Sequence, residues 1–204
     1  MPAPEKVLPV VWHTQETFYY CGPATIQMIL QYRGAGLVPQ RDLWDDVRRH
    51  SDCGWEDDRV DELDAVDLSD YLWASGCPCW ATSPEALTAT INQHRPGDVH
   101  LKYLGPAIGA IYALIASIDV NVPAAVTIHG FNHWVVVNGY LIDPPAEPGA
   151  GQPYTIQGLY VTDPFQTDSV KRHKLVPLRK WKGAYFASMD CGVHQDEHPL
   201  VVGV

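Results

Sequence analysis

The chain has 204 residues, 46% of them apolar and 19% charged, a balance that builds a substantial globular core and excludes a disordered or fibrous chain. Its 14 basic residues stand against 24 acidic ones, and the net charge of −10 argues against nucleic acid or an anionic membrane surface as the main partner. The longest apolar run, residues 107–118, is too short to span a bilayer, and residues 1–10 lack the basic flank and apolar core of a signal peptide.

A single domain over residues 1–204, in the cytoplasm and without membrane insertion, is therefore expected. Five cysteines, an odd number, leave at least one thiol unpaired in a monomer. Cys53, Cys77, Cys79 and Cys191 lack Cys-x-x-Cys spacing, and Cys77-Pro78-Cys79 is too tight for both sulfurs to chelate one ion. Neither a metal nor a cofactor is expected, and free thiols suit a reducing compartment.

Residues 1–14 are Pro-rich and extended, with an edge strand over 7–12 that Pro9 interrupts. Residues 15–24 then read Gln-Glu-Thr-Phe-Tyr-Tyr-Cys-Gly-Pro-Ala, and an apolar run over 25–32 follows. Gly22 allows a tight turn, and Pro23 suits a first helical turn, where its missing N–H costs nothing. Ile26, Ile29, Leu30 and Arg33 fall at helical spacing, and Gly34 stops the helix. Cys21 is thus expected at a helix N-terminus, where the positive ends of the peptide dipoles face the sulfur and stabilise an anion. Gln15 is near enough to fold its amide back beside that sulfur. With the Cys21 backbone N–H it would make the two donors of an oxyanion hole. The same stretch fits a buried structural cysteine until a base is found elsewhere.

Residues 38–50 read as a second helix, with Asp42 near its start, Arg48 and Arg49 at its end, and Leu43, Trp44 and Val47 as its apolar stripe. Residues 51–64 are acidic without the order of an EF-hand loop, and read as a solvated face. A short helix is expected over 67–74. Thr82-Ser83-Pro84-Glu85 is a helix start, with Leu87 and Ile91 on the apolar side, His94 at the end and Pro96-Gly97 as the stop. Residues 99–104 predict a strand and 107–117 a helix. After Asn121 the pattern becomes strand-like, over 123–129, 133–140, 154–162, 174–176 and 183–189, with a turn at 130–132 and a turn or short helix over 178–182. Helices followed by successive strands predict an α+β fold with an antiparallel sheet in the C-terminal half.

A cysteine nucleophile needs a base and a group that orients it. His133 opens a strand and Asp163 lies at the end of the next, so antiparallel pairing would bring them together. His129 and Asp143 are rivals. His129 lacks the Trp and apolar strand that follow His133, and Asp143 opens the Pro- and Gly-rich loop 144–153. Asn138, five residues beyond His133, would face the other side of the sheet. His133 alone also fits a satisfied core histidine, and Asp163-Pro164 a strand-ending turn. Gln15, Cys21, His133 and Asp163 together favour catalysis. Trp134 is expected to cover the His133–Asp163 bond. Tyr19, Tyr20, Gly22 and Trp134 are expected to border a substrate cleft where the helical half meets the sheet, with loop 144–153 as a further border. Trp44, Trp55, Trp73, Trp80 and Trp181 read as core, and His173, His194 and His198 show no metal-ligand clustering.

Gln15, a gap of five residues, and Cys21-Gly22-Pro23-Ala24 opening an apolar helix resemble the bacteriocin-processing (double-glycine) peptidases of the papain-like superfamily. His133-Trp134, Val161-Thr162-Asp163-Pro164 and residues 178–187 extend the resemblance over 15–187. That family usually has Asp before the nucleophile, where this chain has Tyr20. The resemblance implies a papain-like fold with the nucleophile on a helix N-terminus. It also implies a cysteine peptidase that hydrolyses a peptide or protein substrate through a Cys21–His133–Asp163 triad and a thioester. Such enzymes cut after two small residues in a leader peptide, usually as a domain fused to an export transporter, a portion not found in this sequence. An amidase, a deamidase or an acyltransferase would use the same triad, and a non-catalytic peptide-binding module would keep the same fold. Oligomeric state is not readable from the sequence.

Overall fold

The structure, a computed structural model, describes residues 5–51, 82–105, 107–129, 133–143, 155–167, 173–186 and 198–203. Most of the acidic stretch 51–64, the helix expected over 67–74, the turn 130–132, the loop 144–153, and Cys53, Cys77, Cys79 and Cys191 lie outside the described residues.

Helix α1 (Cys21–Tyr32) is buried on every side from Gly22 to Leu30, so it is a central helix and not an amphipathic surface one. Its end is a Schellman turn. Gly34, at φ +80°, gives its N–H to Gln31 O at 3.1 Å, and the Ala35 N–H reaches Leu30 O at 3.0 Å. Glycine takes that left-handed φ without a Cβ clash. At the other end a Cβ on Gly22 would lie 2.1 Å from Thr82 Oγ1. Gly22 sits inside the helix, so the close approach of Thr82 requires it, and the tight turn expected from the sequence does not.

Two more helices pack against this one. Helix α2 (Gln40–Arg49) buries Leu43, Trp44 and Val47 completely. Helix α3 (Pro84–His94) starts where Ser83 Oγ accepts the Ala86 N–H at 3.1 Å, with Pro84 in the first turn. Asp46 of α2 accepts hydrogen bonds from His94 Nε2 of α3, at 2.9 Å, and from Arg49. Helix α4 (Ala107–Asp119) is the long apolar helix expected there, two residues longer than the sequence suggests. No helix among the described residues is long and apolar enough to cross a membrane.

Among the described residues the sheet has seven strands, paired antiparallel throughout: β1 (Glu5–Val7), β2 (His100–Leu104), β3 (Ala124–Ile128), β4 (His133–Asp143), β5 (Thr155–Thr162), β6 (His173–Pro177) and β7 (His198–Val202). Their order is β2-β7-β3-β4-β5-β6. Long, apolar β4 organises them. Residues His133 to Val137 pair with β3, Gly139 to Leu141 pair with β1, and β5 runs along its other edge. The fold is therefore α+β, with a helical N-terminal half and the strands mainly C-terminal, as expected.

Three local expectations change. Strand β1 ends at Val7 instead of running through 7–12, although the Leu8 N–H still bonds Asn138 O at 2.7 Å. The strand expected over 183–189 begins instead as a helical turn. A short α5 (Leu178–Lys180) leads into π-type turns at Trp181–Tyr185, which bring the Trp181 ring 4.9 Å from Tyr185 and 5.1 Å from Phe186. Strand β7 has no counterpart in the sequence reading, and it carries Pro199 near its start. Pro199 lies beyond the part of β7 paired with β3, which is Leu200 and Val201, so its missing N–H is not required on that side.

Replacing Gly22 with alanine forces the start of α1 away from Thr82, an overpacking that costs about 1–3 kcal/mol. The expected result is a lower denaturant midpoint with an unchanged slope, and a smaller loss in a Thr82→Gly background.

Candidate active site

The site begins with strand register. Val136 of β4 pairs with Thr162 of β5, which sets Asp163 beside Val135 and on the same face as His133. His133 Nε2 lies 2.7 Å from Asp163 Oδ1. The same oxygen accepts the Phe165 N–H at 3.0 Å. The N-terminal arm fastens this corner from the other side. Trp12 Nε1 donates to Asp163 O at 2.9 Å, and the Gln15 N–H and Thr14 Oγ1 donate to Pro164 O at 3.0 and 3.3 Å.

These contacts set the charges. Burial disfavours the Asp163 anion, but the His133 hydrogen bond and charge, the Phe165 N–H and the Lys174 charge outweigh it, and the carboxyl lies below its usual range. Burial likewise opposes the imidazolium of His133. The hydrogen bond to Asp163, and the hydrogen bond and charge of Cys21, overcome it and push the imidazole up to about 9.

Cys21 is the first residue of α1 and partly exposed. It lies close enough to the imidazole for its charge to help raise it, and Asp163 occupies Nε2, which leaves Nδ1 for a second partner. The first intrahelical bond runs from Ala24 N–H to Tyr20 O, at 2.9 Å. The Cys21 N–H therefore precedes the helical ladder and points out of the helix beside the sulfur.

The remaining expected residues are placed differently. Gln15 was expected to present its amide to the sulfur. Instead Nε2 donates to Thr17 O at 2.8 Å and Phe18 O at 2.9 Å, because the tight loop brings two of its own carbonyls within reach. Tyr20 is only 3% exposed, its ring 4.9 Å from Tyr19 and 5.7 Å from the buried Trp44. The apolar stripe of α2 draws it inward, so it offers little surface to a substrate. Tyr19 is half-buried, with its ring 5.3 Å from Trp44, and the outermost ring of this group is Phe18, 47% exposed. Gly22 is buried under Thr82.

Trp134 follows His133 on the strand and so turns to the opposite face. It is 3% exposed and gives its indole N–H to Thr82 O at 2.8 Å. It ties β4 to the start of α3 and does not cover the His133–Asp163 bond. The ring beside the imidazole is Phe165, 61% exposed, edge-on with centroids 6.0 Å apart. Phe165 and Thr82 are the site residues that sequence reasoning missed. Neither carries a chemical signal, and each matters through a neighbour made by folding.

The rivals lie elsewhere. His129 ends β3 exposed, at φ +55°, its ring 5.2 Å from Tyr185. Asp143 is exposed at the far end of β4, roughly 30 Å from His133 at the rise of a strand, and accepts a bond from Gln157. Asn138 is buried, donating to Leu8 O at 2.9 Å and accepting from Thr162 Oγ1 at 3.3 Å. Among the described residues no group of three or more His, Cys, Asp or Glu side chains is placed to hold a metal ion.

Comparison with known proteins agrees with the fold. The crystal structure of a putative C39-like peptidase from Bacillus anthracis matches with a TM-score of 0.56 at 16% identity, over 98% of this chain and 98% of that one. A double glycine motif protease from an AMS/PCAT transporter, crystallised in complex with the leader peptide, gives 0.47 at 15% identity, over 98% of this chain and 95% of that one. No curated protein matches the chain. The model of the Peptidase_C39 like family matches residues 7–190, from ahead of Gln15 to beyond Asp163, and the chain belongs to that family.

Proposed function

We propose that this protein is a cysteine peptidase in which Cys21 is the nucleophile, His133 the general base and acid, and Asp163 the group that orients the imidazole. One observation carries the reading: an imidazole lies 2.7 Å from a buried carboxylate, and its proton affinity is raised both by that carboxylate and by a cysteine at a helix N-terminus. Burial of Asp163 keeps water from competing for Nε2, so Nδ1 stays turned toward the sulfur.

The chemistry follows from those positions. At neutral pH the imidazole already carries the proton of the Cys21–His133 pair, and the Cys21 sulfur attacks the carbonyl carbon of the scissile bond, forming a C–S bond. The carbonyl electron pair moves to oxygen, which accepts a hydrogen bond from the Cys21 N–H. When the tetrahedral centre collapses, the C–N bond breaks and the amine leaves with the proton from Nδ1. Water then gives a proton to His133 and its oxygen attacks the thioester, and the thiol is restored as the acid product departs. Gln15 contributes by closing the loop that leads into Cys21. Phe18 and Phe165, the exposed rings beside that loop and the imidazole, offer apolar surface to a bound peptide.

Incubation with a peptide library, read by mass spectrometry, is expected to give cleavage products with the wild type and none with Cys21→Ala. A folded wild-type protein that cleaves nothing would overturn the reading. The pH dependence gives a separate expectation. With His133 at about 9, the imidazolium persists through neutrality, and kcat/KM should fall as pH rises through that value. The stability this group contributes has the same sense: it is fully present below about pH 6.5 and is lost as pH rises through about 9. Asp163→Ala removes a partner that raises the imidazole and should move the alkaline midpoint down toward that of an ordinary histidine, while Asp143→Ala should leave it in place.

A further inference from the structure

Both peptide groups of Gln15 are held by one buried side chain from another helix. Gln40, in the first turn of α2 and 1% exposed, donates from Nε2 to Thr14 O at 2.8 Å and to Gln27 Oε1 at 3.0 Å, and its Oε1 accepts the Glu16 N–H at 3.0 Å. Gln27, buried on α1, in turn donates from Nε2 to Val38 O at 2.7 Å. The Gln15 N–H is held from the opposite side by Pro164 O, next to Asp163. Nε2 and Oε1 of Gln40 are thus both engaged, and its position leaves no slack.

A buried amide is an expensive way to fill space. An apolar residue of similar volume would pack as well without desolvating an amide, and a satisfied amide contributes direction more than stability. The direction is transmitted along a short path. Gln40 fixes the backbone at Gln15, the Gln15 amide grips the carbonyls of Thr17 and Phe18, and the Tyr20 N–H bonds Thr17 O at 3.2 Å. The next peptide group is the Cys21 N–H.

Resting on the peptidase reading above, we propose that Gln40 is a positioning residue for acyl transfer, holding the Gln15 loop so that the Cys21 N–H meets the oxyanion and the sulfur keeps its place. A misaligned donor weakens every tetrahedral adduct whose oxygen accepts the Cys21 N–H. It leaves untouched a displacement of halide by the sulfur, in which no oxygen enters the hole.

The test pairs two probes on the full chain. Iodoacetamide alkylates Cys21 by displacing iodide and needs no oxyanion hole. The peptide aldehyde acetyl-glycyl-glycinal adds the sulfur to its carbonyl carbon, and the carbonyl oxygen takes the proton. That adduct uses the hole and protects Cys21 from alkylation. In Gln40→Leu and Gln40→Glu the aldehyde concentration giving half-protection is expected to rise about 10- to 100-fold, while alkylation of the folded variants without aldehyde stays near wild type. If Gln40→Leu does not fold, Gln40→Glu decides, since it keeps the shape and the acceptor for the Glu16 N–H. Half-protection at the wild-type concentration in folded Gln40→Glu would overturn this inference alone. Alkylation falling in step with protection would make Gln40 a merely structural clamp and would also overturn it. An aldehyde that fails to protect wild-type Cys21 would overturn the reading of the site itself.

Discussion

The pairing of Val136 with Thr162 is the constraint on which the site depends. Side chains alternate along a strand, so a slip of one residue would send either His133 or Asp163 to the opposite face. The interval that matters is regular. Two irregularities interrupt the β4–β5 ladder, between Val137 and Gly139 and between Leu141 and Ile142, and both lie between the site and the connecting loop. The ladder beside His133 is therefore set by its own pairing and by the neighbouring strand β3, where Ile128 faces His133.

The second half of the site comes from a helix that has no solvent face over most of its length. Burial from Gly22 to Leu30 fixes α1 along its axis and about it, which is what a reactive group on its first residue requires. The close approach of Thr82 fixes the start of the helix, and the Schellman turn at Gly34 fixes its end. Thr82 serves twice, since its carbonyl also accepts the indole N–H of Trp134. One short segment therefore touches both the residue after Cys21 and the residue after His133. The spacing between Cys21 and His133 is therefore held by packing on both flanks.

What could be read from the sequence was whatever local chemistry dictates. Ser83-Pro84 marked the start of α3, Gly34 the end of α1, and the apolar run after His133 a strand whose neighbour would carry Asp163. Asn138 was assigned to the far face by counting, and it lies there, bonded to Leu8 and Thr162. The readings that changed all depended on partners far away in the chain. Tyr20 looks like a surface residue until Trp44 of α2 is placed beside it. Trp134 looks like a lid until its indole finds the Thr82 carbonyl. Gln15 carries a donor whose target is decided by the curvature of its own loop. The spacing of Trp181, Tyr185 and Phe186 suits a strand as well as a helical turn, and ring packing decides between them. Gln40 reads as an ordinary polar residue in a first helical turn, and only the fold shows that it is buried.

Strand β7 lies between β2 and β3, although it is the last of the described elements along the chain. Until residues 198–202 arrive, β2 and β3 present open edges to one another across a gap. The apolar faces of β3 and α4 are then uncovered while the rest of the sheet waits. Such a topology makes folding depend on contacts of long sequence separation, which are slow to form. The thiol at Cys21 leaves the ribosome long before the imidazole and carboxylate that accompany it in the finished protein. Cys21, His133 and Asp163 therefore come together only after β4 and β5 have paired, late in the making of the chain.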